Sequence, residues 1–176
     1  MWIRSLIFSA GLIYSILKTM KAKYKHTNII ARDWRALARF YEEVFGCVRV
    51  PPVRDLSGSW LEKGTGVSAA KLSGVHLRLP GYGANGPTLE IFQFKRNEER
   101  EKPAVANREG LGHIAFEVDD IKHAISKVLK YGGKKAGDLV THDVKSVGTL
   151  SFVYMEDPEG NIIELQTWKQ KPSRGL

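Results

Sequence analysis

Two histidines and two glutamates occupy equivalent places in the two halves of this 176-residue chain. His26 and His113 each lie on a predicted strand, seven residues before an aspartate that is suited to cap a helix. Glu90 and Glu164 each interrupt an otherwise apolar strand. Two imidazoles and two carboxylates suit a divalent ion and leave positions open for water or a substrate. If the two halves face each other, we expect all four side chains to form one metal site.

A strand and then an amphipathic helix follow in both halves. After His26, Asp33 is a good N-cap, apolar residues recur at helical spacing, and Gly46 ends the pattern. In the second half, Asp120 precedes the same pattern, which ends at Gly132. The terminal glycines lie 20 and 19 residues after the respective histidines. Agreement in three landmarks predicts an internal repeat.

Extended segments continue each copy, at residues 70–79 and 87–94 in the first and at 138–144, 150–155 and 161–168 in the second. An Asp-Pro-Glu-Gly-Asn turn joins the last two segments. Each copy ends in the strand that carries its glutamate. We therefore predict an α+β protein built from two βαβββ modules.

The predicted modules span residues 24–95 and 111–168. Residues 96–110 form a charged linker, and residues 169–176 form a basic tail. Residues 1–23 are interpreted as an N-terminal extension or a signal-like segment.

Residues 5–17 are uncharged and mostly apolar, which resembles a signal-peptide core and is short for a membrane span. No convincing cleavage site follows, and Met20 begins a polar lead into the first strand, so we favour a start extended upstream to Met1 over an export signal. The single Cys47 excludes an internal disulfide and fits a reducing compartment. We expect a cytoplasmic protein, or an exported or membrane-anchored one if residues 1–19 are a genuine signal.

The net charge of +8 belongs to the ends of the chain. Residues 1–25 carry five basic and no acidic side chains, and residues 169–176 carry three and none. The remaining 19 basic and 19 acidic side chains make residues 26–168 neutral, so we expect no nucleic-acid partner. We expect a small-molecule substrate, no stable membrane partner unless the N-terminal segment is native, and a homodimer, because exposed sheet edges and half-built sites favour pairing.

Residues 81–86 match the pattern GxGxxG, but a proline and a strand follow instead of a helix, so we predict a loop or lid. His76 and Arg78 share one face of a predicted strand and are within reach of a cavity. The candidate pocket residues are Arg78, Trp60, Phe92, Phe94 and Tyr154.

Four segments, at residues 25–29, 40–46, 112–120 and 157–165, resemble the vicinal oxygen chelate superfamily. That superfamily includes glyoxalase I, methylmalonyl-CoA epimerase, extradiol dioxygenases and the bleomycin and fosfomycin resistance proteins. The resemblance covers about residues 24–168. It implies a glyoxalase-like fold in which paired modules form a cupped mixed sheet around one metal ion, within a chain or across a dimer.

The resemblance also implies a ligand set, in the His/Glu/His/Glu order of bacterial glyoxalase I: His26, Glu90, His113 and Glu164. Epimerases usually have Gln in place of Glu90, and purely binding members often lack the ligands. We therefore expect a metal-dependent lyase or isomerase that acts on a small 2-oxo or thiol-adduct substrate. The alternatives are an extradiol ring-cleaving dioxygenase and a non-catalytic drug- or metabolite-binding protein of the bleomycin-resistance kind.

The chemistry that the resemblance implies is an enediolate-type proton transfer, in which a divalent ion (Ni, Co, Zn, Mn or Fe(II)) binds two adjacent substrate oxygens. A carboxylate then moves the proton, and we favour Glu164 over Glu90 for this role. One departure concerns glutathione. Ile30 stands where glyoxalase I typically has the arginine that binds the glutathione carboxylate, and Arg78 and Arg32 are the possible substitutes.

Overall fold

The structure is a computed structural model that describes residues 21–170. The apolar run at residues 5–17 and most of the predicted basic tail lie outside the described residues. The elements are β1 (His26–Ile30), α1 (Trp34–Phe45), β2 (Val48–Ser57), α2 (Ser59–Thr65), β3 (Lys71–Arg78), β4 (Thr88–Phe94), β5 (Ile114–Glu117), α3 (Ile121–Lys130), β6 (Lys134–Lys135), β7 (Val140–Val144), β8 (Gly148–Glu156) and β9 (Ile162–Gln170). The predicted α+β class is confirmed.

Helix α1 begins and ends where the sequence predicts. The carboxylate of Asp33 accepts hydrogen bonds from the backbone N–H groups of Arg35 and Ala36, which have no partner inside the helix. Gly46 ends the helix in the left-handed conformation, with φ of 71°. In α3, Asp120 caps the N-terminus as predicted, but the helix ends at Lys130, before the predicted glycine stop.

The strands form two mixed sheets with matching topology. The first has the order β1-β4-β3-β2, and the second has the order β5-β9-β8-β6, with β7 also paired to β8. In each sheet, the first strand of the module runs parallel to the last strand, and the other pairs are antiparallel. In each module a first strand and a helix precede the remaining strands of the sheet, with β6 and β7 both paired to β8 in the second module. The predicted repeat of a βαβββ arrangement is therefore present in the fold.

Three features differ from the sequence predictions. The predicted extended segments do not include β2, because Pro51 and Pro52 interrupt its pattern; the strand tolerates them at the edge of its sheet, where fewer ladder hydrogen bonds are needed. The sequence patterns also do not predict helix α2, which lies between β2 and β3. The third difference concerns His113, which lies immediately before β5 and not on it.

One hydrophobic core joins the two modules. It contains Leu77 and Ile91 from the first sheet and Val153 and Leu165 from the second, together with the buried faces of α1 and α3. The rings of Phe45 and Phe116 stack across the modules, with centroids 3.8 Å apart. Because alternate residues of a strand face opposite sides, the second face of each sheet is turned away from this core.

The predicted turn at residues 157–161 joins β8 to β9. The Asp157 carboxylate accepts hydrogen bonds from the backbone N–H groups of Glu159 and Asn161, and Gly160 has a positive φ. Residues 81–86 form a loop between β3 and β4, as predicted. In the described range 21–170, no helix has the length and apolar character to cross a membrane.

Candidate functional site

The predicted glutamates occupy corresponding registers in the two sheets. On the first sheet, Glu90 of β4 pairs with Asn28 of β1 on one side and with His76 of β3 on the other. Paired residues on neighbouring strands present their side chains on the same face. On the second sheet, Glu164 of β9 pairs with Ala115 and Tyr154. We call these faces, which are opposite the shared core, the site faces.

Three side chains surround the Glu90 carboxylate. The Nδ1 atoms of His26 and His76 each lie 3.2 Å from its Oε1 atom, and the amide of Asn28 donates to its Oε2 atom at 3.4 Å. Glu90 is only 7% exposed. Among the described residues, no Lys or Arg forms an ion pair with it. A buried carboxylate is therefore surrounded by imidazole and amide groups alone.

His76 experiences opposing influences on its ionisation. Burial lowers the pKa of its imidazole, the Glu90 carboxylate raises that pKa, and the positive charge of Arg54 and the neighbouring His26 lower it. His76 lies directly across from Glu90 in the β3–β4 pairing and is less exposed than His26. Its contact with Glu90 is consequently set by the sheet register.

The second module carries a simpler pair. The Nε2 atom of His113 lies 3.0 Å from Oε2 of Glu164. In the described chain, His113 is the one polar side-chain partner of this carboxylate. The ring of Tyr154 packs against the His113 ring, with centroids 4.9 Å apart. Glu164 is therefore less constrained than Glu90.

The structure brings the four predicted ligands together two by two, as His26 with Glu90 and His113 with Glu164. Within residues 21–170, no group of three or more His, Cys, Asp and Glu side chains is arranged to hold a metal ion. The expected convergence of all four on one point is not found inside a single chain. The two pairs belong to different sheets, and the opposite faces of those sheets pack into the shared core. The metal itself stays a prediction.

A cavity of about 280 Å³ lies on the first site face beside Glu90. Three of the five predicted pocket residues line it: Trp60, Phe92 and Phe94. The other two predicted pocket residues do not line it. Arg78 lies at the end of β3, and Tyr154 belongs to the second module.

Sequence reasoning noted His76 without assigning it a role, and it missed Asn28. Both contact Glu90 only because the β1–β4 and β3–β4 registers place them beside it. The available signal was strand alternation, since His76 and Arg78 share one face of a strand. Alternation shows which residues share a face, but not which residues of another strand lie next to them.

The one cysteine is not part of either pair. Cys47 is buried behind α1, and burial raises the pKa of its thiol to about 12. The nucleophilic form of cysteine is the thiolate, so a thiol of this kind is inert at neutral pH.

Comparison with known proteins gives matches over nearly the whole described chain. A model of the Glyoxalase/Bleomycin resistance protein/Dioxygenase superfamily matches residues 23–165. No protein of curated function matches the sequence at a significant level. The sequence relationship is therefore established at the level of a family model.

Solved structures with a similar fold include a glyoxalase-family protein from Bacillus cereus, with a TM-score of 0.67 and 18% identity, over 85% of this chain and 95% of that one. A glyoxalase-family protein from Enterococcus faecalis has a TM-score of 0.53 and 24% identity, over 82% and 96% of the two chains. A glyoxylase/bleomycin resistance protein/dioxygenase domain from Frankia sp. has a TM-score of 0.54 and 15% identity, over 88% and 96%. These similarities show the fold.

Proposed function

Because this chain belongs to the Glyoxalase/Bleomycin resistance protein/Dioxygenase superfamily, we propose that it is a metal-dependent lyase or isomerase. Its substrate is a small 2-oxo or thiol-adduct compound, and its reaction moves a proton between neighbouring carbons. The observation that carries this proposal is the pair of His–Glu contacts at corresponding places in the two modules, His26 with Glu90 and His113 with Glu164.

The donor set fits a divalent cation. Imidazole nitrogens and carboxylate oxygens are ligands of Zn²⁺, Mn²⁺, Ni²⁺ and Fe²⁺. Glu90 is buried without a Lys or Arg partner among the described residues, and a buried charge of this kind is costly unless a cation compensates it. His26, Glu90, His113 and Glu164 would hold the ion. When bound, a divalent ion supplies Lewis-acid stabilisation of negative charge on adjacent substrate oxygens.

Two copies of the chain are needed to bring a His26–Glu90 pair and a His113–Glu164 pair together into one site. We call each pair a half-site. The site faces are turned away from the core that the two modules share. In the described chain, β1 and β5 lie at the ends of their sheets and each pairs with one strand only. Unpaired edges of this kind invite pairing with another chain. We infer a homodimer in which the first module of one copy meets the second module of the other.

The two carboxylates have different roles in this proposal. Glu90 is fixed by His26, His76 and Asn28, so it stays in place. Glu164 has His113 as its one polar side-chain partner in the described chain, so its carboxylate is freer to move. It takes the proton from one substrate carbon and returns it to the next, as a general base and then a general acid.

The test is metal removal and restoration. Chelator-treated protein is expected to lose activity on the hemithioacetal of methylglyoxal or a related 2-oxo compound, and to regain it with Ni²⁺, Co²⁺, Zn²⁺ or Mn²⁺. Glu164→Gln is expected to lower kcat about 100-fold or more, because it removes the base while keeping an oxygen donor. The exposed Glu99→Gln is the matched control. Purified protein that binds no metal contradicts the proposal.

A second candidate function is the binding of a drug or metabolite without chemistry, and the aromatic cavity beside Glu90 favours it. This function predicts ligand binding that is unaffected by chelator and by Glu164→Gln, with no turnover. A ring-cleaving dioxygenase would consume O₂ and require Fe(II), so activity under anaerobic conditions separates it from the lyase.

A further inference from the structure

The cavity beside Glu90 has a composition that the proton transfer alone does not explain. Helix α2 forms one wall, and the first site face, including Phe92 and Phe94 of β4, forms the floor. Seven of the ten lining residues are apolar, and the polar ones are Asn28, Thr65 and Glu90. No Lys or Arg lines the cavity. An anionic group inside the cavity would therefore find no cationic side chain in the lining to pair with.

The lining is also aromatic and preformed. Phe92 lies opposite Gly74 on β3, and a Cβ atom at Gly74 would come within 2.8 Å of the Phe92 Cα atom and still closer to its ring. The glycine thus leaves room for the Phe92 ring. Trp60 of α2 is 60% exposed, although it lies next to the apolar cluster of Leu61 and Leu72. An exposed indole at the edge of an apolar cavity is a contact surface for a ligand.

The volume of the cavity suits one small chemical group of a ligand. Drug-sized ligands usually occupy roughly 300 to 1,000 Å³, and an apolar cavity of about 150 Å³ already holds a benzene molecule. About 280 Å³ therefore accommodates one aromatic ring with a short connection to Glu90. A helix or strand of another protein needs far more room.

We propose that this cavity binds one uncharged aromatic ring of the substrate, while the adjacent oxygens of that substrate lie towards Glu90. The substrate class is a small aromatic hydroxyketone or 2-oxo compound without an anionic tail. The placement of the oxygens rests on the proposed function. Binding of the ring rests only on the cavity, so the two are testable separately.

The test compares two probes that share adjacent oxygens and differ in one group, 2-hydroxyacetophenone with a phenyl group and hydroxyacetone with a methyl group. Their dissociation constants are measured with the full chain by NMR titration, in chelator-treated and in Mn²⁺-loaded protein. We expect the phenyl compound to bind at least about tenfold more tightly in both states, because a ring gains more than a methyl group on leaving water.

Four variants, one of them a control, locate the effect. Trp60→Ala and Phe92→Ala are expected to reduce the phenyl preference at least threefold. Tyr82→Ala is the matched control, since Tyr82 is an equally exposed aromatic residue of the same module that does not line the cavity. Ile30→Arg places a cation in the lining. We expect it to abolish the phenyl preference and to bind S-methylglutathione more tightly than wild type does.

Equal affinity for the two probes, or a preference that survives both aromatic variants, would overturn the ring site. Absence of binding by both probes overturns it as well, because the cavity then takes up no aromatic ring. A phenyl preference in protein that neither binds metal nor turns over substrate supports the ring site and rejects the proposed function. Metal-dependent turnover without a phenyl preference supports the proposed function and rejects the ring site.

Discussion

The buried Glu90 carboxylate shows how the first half-site is organised at the level of single residues. Two imidazoles approach the same oxygen, and only His26 was a predicted ligand. His76 comes from the neighbouring strand and is less exposed. We assign it a positioning role, because groups that orient a metal ligand strongly affect the affinity for the metal.

His76→Leu is expected to lower metal affinity about 10- to 100-fold, because Glu90 loses one of the groups that fix its carboxylate. Competition with a chromophoric chelator measures the affinity, and circular dichroism checks the fold. His142→Leu, an exposed histidine of β7, is the control. His76→Gln retains a donor and should recover part of the loss. Unchanged affinity in His76→Leu would remove the positioning role.

At the scale of elements, strands β3 and β4 of the first sheet approach each other closely at Gly74. Gly74→Ala is expected to lower the free energy of unfolding by about 1–3 kcal/mol, because the added Cβ meets the backbone and ring of Phe92. Gly137→Ala, where a Cβ meets nothing within 4 Å, is the control. Urea unfolding measures both. A loss at Gly74 no larger than at Gly137 would show that the sheet relaxes freely.

The elements that the sequence predicts best are those with local signals. Helix α1 has a capping side chain at Asp33 and a left-handed glycine at Gly46, so local residues predict both of its ends. Helix α2 spans only seven residues and has no side-chain N-cap, although Gly66 ends it in the left-handed conformation, and β2 contains two prolines, so the local signals of both elements are weaker. Likewise, the partners of Glu90 depend on a register between distant strands, which local patterns do not encode.

At the scale of the molecule, a buried contact joins the two modules. The hydroxyl of Tyr41 in α1 donates to the Asp157 carboxylate at 3.0 Å, and both residues are buried. Burial raises the pKa of Asp157, and the hydrogen bonds from Asn161, Glu159 and Tyr41 lower it. The hydrogen bond therefore links the two modules in the interior of the protein.

Tyr41→Phe is expected to lower the free energy of unfolding by about 1–3 kcal/mol at neutral pH, because a buried carboxylate loses a donor. Loss of the Tyr41 hydrogen bond raises the pKa of Asp157 further in the folded protein. The folded protein then keeps a proton on Asp157 at pH values where the unfolded chain has released it. The loss should therefore grow as the pH rises through that pKa and shrink in acid. Urea unfolding at several pH values measures it.

Tyr131→Phe is the matched control, since the Tyr131 hydroxyl donates to Glu43 at the surface. We expect a smaller loss there, because water replaces the missing donor. A Tyr41→Phe loss that is the same in acid and at neutral pH would contradict the role given to Asp157.

In the proposed dimer, each metal site joins the first module of one chain to the second module of the other. The most direct test mixes Glu90→Ala chains with Glu164→Ala chains under conditions of subunit exchange and measures tightly bound metal. Random pairing makes half of the dimers mixed, and each mixed dimer has one intact site, so we predict about a quarter of the wild-type metal content. If the site forms within one chain, every site in the mixture lacks a glutamate. A mixture that binds no more metal than either variant alone would therefore contradict a site shared between two chains.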